Sequence, residues 1–189
     1  CYEGCTPNGR HGNILNQKFL DTLHPYTEMA INGNDLTHPE LIPFLEKLRD
    51  KKVVANMTVN QIHFERHFDT IKEWIDNGLI YGLGVSLKDP TDEFIELVTD
   101  VRPTQVTLVP DSPAQLTSNH GWDTKAHLAK LTAIIQRFKN AGIRVSVFVD
   151  ADPVMVEYAA KAGADRVELY TGPYAEMYAE GPKNALEAY

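Results

Sequence analysis

RVSVFVDADP at residues 144–153 and GADRVELYTG at 163–172 decide how this chain folds. In the first, Val145, Val147 and Val149 alternate with other residue types, and in the second Val167 and Leu169 do the same. Successive side chains of a strand point to opposite faces, so a period of two marks β-structure. Asp152-Pro153 follows the first run: a capping carboxylate, then a proline suited to the first helical turn. Gly163 stands where the intervening helix has to stop. Strand, helix and strand joined this closely form a βαβ unit, which makes a parallel pair with a right-handed crossover.

Working outward, the same alternation appears at 28–32, 53–60, 81–87 and 105–110. Amphipathic stretches lie at about 39–51, 65–77, 91–100, 124–141 and 153–163, with a last one from about 173. Thr37 with Pro39 and Glu40 opens the first of these, Asp89-Pro90-Thr91 the third, and Gly78 and Gly142 supply helix stops. One face of the six strands is apolar throughout: Met29, Ala55, Met57, Val85, Val106, Val147 and Leu169 belong to it, and it is expected to meet the helices. The other face carries Glu28, Asn56, Thr58, Ser86, Thr107, Ser146 and Glu168, too polar for a second helix layer. That face suits the interior of a βα barrel better than a doubly wound sheet. At ~30 residues per unit, the 189 residues hold about six units. The expected fold is α/β: a partial, about six-stranded, parallel βα barrel, TIM-barrel-like, in a single domain over 1–189.

Composition narrows the partners. At 43% hydrophobic and 23% charged the chain is an ordinary globular one. A net charge of −8 argues against nucleic acid, which binds clustered Lys and Arg. No apolar run approaches the ~20 residues of a membrane helix. Two cysteines and no signal peptide point to the reducing cytoplasm. The chain opens on Cys1 rather than Met, so its natural N-terminus is expected to lie upstream or to have been cut away.

Barrel sites form at the carboxyl ends of the strands. This selects Asn32, Gly33, Asn34, Asp35, Asn60, Lys88, Asp111, Asp150, Asp152, Glu168, Tyr170 and Thr171. Glu168 is the sharpest candidate. Alternation turns its carboxylate inward, where desolvation is expected to raise its pKa into acid/base range; the competing reading is a structural pair with a group such as Lys88. Asp150 reads equally as functional or structural, and Asp152 as a helix cap. His63 and His67 have metal-binding i,i+4 spacing but no evident third ligand. Cys1 and Cys5, in a Gly-rich stretch, read either as metal or iron–sulfur ligands or as two inert thiols. No GxGxxG, GxxxxGK[ST] or GxSxG motif occurs.

Two resemblances arise at these residues. Cys1-x3-Cys5, MAINGNDLTHPELIPFL (29–45) and YGLGVSL (81–87) make residues 1–100 similar to a small phage-type group of radical S-adenosylmethionine enzymes. That resemblance implies an iron–sulfur cluster on Cys1 and Cys5, and S-adenosylmethionine held near Gly33 and Asn34. Asn32-Gly33-Asn34 departs from the family's Gly-Gly-Glu-like motif, and only two of its three cluster cysteines are present. VRPTQVTLVP (101–110), LTSNHGWD (116–123), AGIRVSVFVDADP (141–153) and GADRVELYTG make residues 101–175 resemble pyridoxine 5′-phosphate synthase. This second resemblance implies a barrel transferase condensing 3-amino-2-oxopropyl phosphate with 1-deoxy-xylulose 5-phosphate. Thr117 then matches a substrate-contacting threonine, and Glu168 the carboxylate that stabilises the transition state. With Lys88 and Asp150 they form the expected site for a small phosphorylated metabolite. The family's early His-x-Arg-x-x-His segment, third-strand glutamate and late phosphate loops are not found in the sequence. The expectation is a chimera of barrel fragments joined within 90–104, retaining synthase chemistry, running a radical S-adenosylmethionine-type site on Cys1 and Cys5, or serving as a scaffold without catalysis. Pairing of two chains to cover open sheet edges is left open.

Overall fold

The structure, a computed structural model, describes residues 14–32, 36–88, 90–110, 118–178 and 181–187. Among these the elements run α1 (Gln17–Thr22), β1 (Glu28–Asn32), α2 (Leu41–Asp50), β2 (Val54–Asn60), α3 (Gln61–Arg66), α4 (Phe68–Asp76) and β3 (Gly82–Leu87). There follow α5 (Asp92–Val101), β4 (Gln105–Leu108), α6 (Leu128–Asn140), β5 (Arg144–Asp150), α7 (Pro153–Lys161), β6 (Arg166–Tyr170), α8 (Gly172–Tyr178) and α9 (Pro182–Glu187). The strands are hydrogen-bonded in chain order, β1-β2-β3-β4-β5-β6. A doubly wound sheet reverses its order at a switch point; an order that never reverses belongs to the α/β, TIM-barrel-like class expected above. The chain divides into two compact units, 1–85 and 86–189, with the boundary inside β3.

In the first unit β1 and β2 are parallel, with Met29 opposite Ala55 and Ile31 opposite Met57. Ala55, Met57 and Val59 are buried, as are Leu41, Phe44, Leu45 and Leu48 of α2, which recur at helical spacing. The helix expected at 65–77 is two helices. Asn60, expected at the site mouth, accepts from the His63 amide and caps α3 directly after β2. His67 closes α3 and opens α4, so His63 and His67 do not share one continuous helix. Glu40 precedes α2 without capping it by a side-chain bond; its carboxylate accepts from the amides of Ile14 and Leu15.

In the second unit β4, β5 and β6 are parallel. Val145, Val147 and Val149 are fully buried, and so are Leu131, Ile135 and Phe138 on one face of α6. Burying each such side chain contributes ~1.5–3 kcal/mol, so this apolar layer fixes β5 at the centre of the three strands. Asp152 caps α7 by accepting from Val154 at 2.7 Å, with Pro153 in the first turn. Gly142 follows α6 at φ 77°, a left-handed conformation that costs a side-chain-bearing residue more than glycine. Asp165 ties the start of the strands together, accepting from the Val145 amide at 2.9 Å and from Lys139 at 2.8 Å. The expected helix at 124–141 starts at Leu128; residues 124–127 before it form a separate turn, in which Asp123 accepts from the Ala126 amide through its carboxylate and from the His127 amide through its carbonyl.

Candidate functional site

Register places Gln105 beside Arg144, Thr107 beside Ser146, Ser146 beside Arg166, Phe148 beside Glu168 and Asp150 beside Tyr170. Paired residues of a parallel ladder share a face, so these form the polar face of β4, β5 and β6. A chain of hydrogen bonds runs across it. Arg144 Nε donates to Gln105 Oε1 at 3.0 Å, Gln105 Nε2 approaches Thr107 Oγ1 at 3.5 Å, and the Thr107 hydroxyl donates to Glu168 Oε1 at 2.8 Å. Ser146, fully buried, finds no hydrogen-bond partner for its hydroxyl among the described residues. The Phe148 and Tyr170 rings meet edge to face at 5.8 Å, walling the side of this face nearer the carboxyl ends of the strands.

At that end the connection from β4 to α6 is seated on β5. The Gly121 amide donates to Asp150 Oδ1 at 2.9 Å, and the Trp122 amide to the Phe148 carbonyl at 2.8 Å. Only glycine fits at 121: a Cβ there would lie 2.2 Å from the Asp150 nitrogen and 2.3 Å from the Val149 carbonyl carbon. Trp122 is buried, in edge contact with His127 and with Lys130 over its ring.

The candidates therefore fare differently. Glu168 lies on the expected face but is exposed rather than desolvated; its carboxylate accepts from the Thr107 hydroxyl. Asp150 holds the loop through Gly121. Lys88 is half-buried just past β3 and is engaged in an interaction of its own. Cys1, Cys5, Gly33, Asn34, Asp35, Asp111 and Thr117 lie outside the described residues. Among the described residues no three His, Cys, Asp or Glu side chains group to hold a metal, and no helix is long and apolar enough to cross a membrane. Thr107, Gly121 and Ser146 were not singled out as functional. Strand alternation had placed Thr107 and Ser146 on this face, whereas nothing local to Gly121 marks its packing.

The pyridoxal phosphate biosynthesis protein PdxJ family matches residues 66–189. The pyridoxine 5′-phosphate synthase of Bacteroides thetaiotaomicron is 63% identical over 100 residues, covering 53% of this chain and 42% of that protein. That of Phocaeicola vulgatus is 59% identical over 100 residues, with the same coverage. That of Mesorhizobium japonicum is 52% identical over 94 residues, 50% of this chain and 38% of its own length. The matched part of the chain thus spans well under half the length of these relatives. The family match begins at residue 66 and spans the 90–104 connection, so the boundary between the two expected parts is not where this family's match begins. None of these matches supports a radical S-adenosylmethionine part or a splice.

Proposed function

This chain belongs to the pyridoxal phosphate biosynthesis protein PdxJ family, and from that footing we propose that it takes part in the condensation of 3-amino-2-oxopropyl phosphate with 1-deoxy-xylulose 5-phosphate. The observation that carries the reading is the Glu168 carboxylate, exposed on the polar face of β4–β6 and held there by the Thr107 hydroxyl. It stands at the position the resemblance gives to the carboxylate that stabilises the transition state. Addition of an amine to a ketone develops positive charge on nitrogen. A fixed carboxylate beside that nitrogen stabilises the charge as it forms, without waiting for solvent to reorganise. Asp150 acts indirectly, by holding the loop at Gly121; Thr117, the expected contact to the phosphorylated amino-ketone, lies outside the described residues. Lys88 is the cation proposed for a substrate phosphate.

The test is formation of pyridoxine 5′-phosphate from the two substrates by the purified chain and by Glu168→Gln. Removing one preorganised electrostatic contact costs roughly 10²-fold in turnover, and a loss of that order with the fold retained is the expected result. Equal turnover in the two proteins would remove Glu168 from the chemistry. A wild-type chain that makes no product would remove the activity.

A further inference from the structure

We propose that Thr107 is a positioning residue for Glu168, the last link of a directed hydrogen-bond chain that decides which carboxylate oxygen faces the substrate; this rests on the role given to Glu168 above. The direction of the chain follows from its first member. Arg144 carries a guanidinium, which can only donate. Its Nε lies 3.0 Å from Gln105 Oε1, so the amide oxygen is turned toward Arg144 and the NH2 group toward Thr107. Thr107 Oγ1 then accepts from Gln105 across 3.5 Å, the longest link, and its own proton is left for Glu168 Oε1 at 2.8 Å. A hydrogen bond ending on a carboxylate is among the strong ones. Oε1 is thereby committed, and Oε2 is the oxygen left for the reacting nitrogen.

The geometry also needs what lies between. Thr107 is on β4 and Glu168 on β6, two strands apart and so ~9–10 Å across the sheet. In register, Thr107 stands level with Ser146, and Glu168 level with Phe148. The glutamate therefore leans back along the strands by about two residues to meet the hydroxyl, passing the row of Ser146. That row carries the smallest side chain on this face of β5, whose other members are Arg144, Phe148 and Asp150. Thr107 is 6% exposed, and its branched side chain has few χ1 states, so the donor is better fixed than the exposed acceptor it holds.

Three variants of the full chain test this: Thr107→Val, which keeps the shape and loses the hydroxyl, Thr107→Ser, which restores it, and Glu168→Gln. Two quantities are read: the 13C resonance of the Glu168 side-chain carboxylate, assigned by its disappearance in E168Q, and kcat and KM in the condensation. T107V is expected to displace the resonance and to lower kcat roughly tenfold, the worth of one hydrogen bond to a charged group, with KM little changed. T107S is expected to return both toward wild type, which a purely structural role for residue 107 would not require. Should T107V fail to fold, Gln105→Leu removes the donor behind the hydroxyl and is expected to move the resonance in the same direction. An unmoved resonance with unmoved kcat in T107V, or a change in KM alone, overturns the proposal. A displaced resonance in T107V together with an E168Q protein as active as wild type leaves the contact standing but removes the catalytic role beneath it, and overturns the proposal on that side.

Discussion

Replacing Gly121 by alanine exchanges one hydrogen for a methyl group at a place that already holds backbone. The new Cβ would sit 2.2 Å from the Asp150 nitrogen, 2.3 Å from the Val149 carbonyl carbon and 2.4 Å from the Val149 Cα. None of these atoms can swing aside as a side chain would, because Val149 and Asp150 are paired in β5 with Leu169 and Tyr170 of β6. The backbone at 121 must retreat by about 1.2–1.8 Å to reach ordinary contact at 3.4–4 Å, and overpacking of this kind costs ~1–3 kcal/mol. A retreat of that size breaks the 2.9 Å bond from Gly121 to Asp150 and the 2.8 Å bond from Trp122 to the Phe148 carbonyl. The first ends on a carboxylate and the second on a neutral carbonyl, so together they are worth ~2–4 kcal/mol. Relief of the clash and loss of the bonds are alternatives rather than additions, and we expect a destabilisation of about 3 kcal/mol. For a chain of this length that lowers Tm by roughly 6–12 °C. Differential scanning calorimetry of G121A beside wild type gives the comparison. Asp150→Asn serves as control, since its amide oxygen can still accept from Gly121 and should lower Tm only slightly. A G121A protein melting within about 2 °C of wild type would mean that the connection does not rest on β5 as described.

Two further predictions concern stability. Ser146→Ala removes a buried hydroxyl that has no partner among the described residues, so it should leave stability unchanged or slightly raised, against the usual cost of altering a buried position; a chemical-denaturation loss above about 1 kcal/mol would show that the hydroxyl is satisfied. The Lys139 ammonium, and after it the Val145 amide, hold the Asp165 carboxyl below its ordinary range. Its contribution is therefore fully present above the ordinary carboxylate pKa and fades as pH falls below about 4. With the aspartate side chain about one-third exposed, Asp165→Asn should cost about 1 kcal/mol at pH 7. The gap from wild type should close as denaturation is repeated at progressively lower pH below 4, and a gap that stays constant would refute the assignment.

How much of this was legible in the sequence depended on the distance over which each feature is decided. The alternation at 28–32 coincides with β1 and the valine run that starts at 144 with β5, because alternation is a property of neighbouring residues. The cap at Asp152 and the turn at Gly142 are equally local, and both were read. Asn60 ends β2 as expected, but its side-chain oxygen also accepts from the His63 amide three residues ahead and starts a helix where a loop is expected. α1, six residues long, has too short a period to declare itself. The face of Glu168 followed from strand parity, but its exposure depends on everything around it and did not follow. Its bond to Thr107 joins residues 61 apart in the chain, across a strand that belongs to neither. No pattern along one dimension carries that contact; only the register of three strands produces it.

That register has a consequence for moving chemistry between barrels. A single βα unit is often taken as the portable piece, and β6 with its following helix would carry Glu168 into a new host. It would arrive unaimed, because the hydroxyl that holds it comes from β4 and the clearance from Ser146 of β5. The smallest transplant that keeps the carboxylate pointed runs from Gln105 to Tyr170, three strands with their connections, inherited as one block.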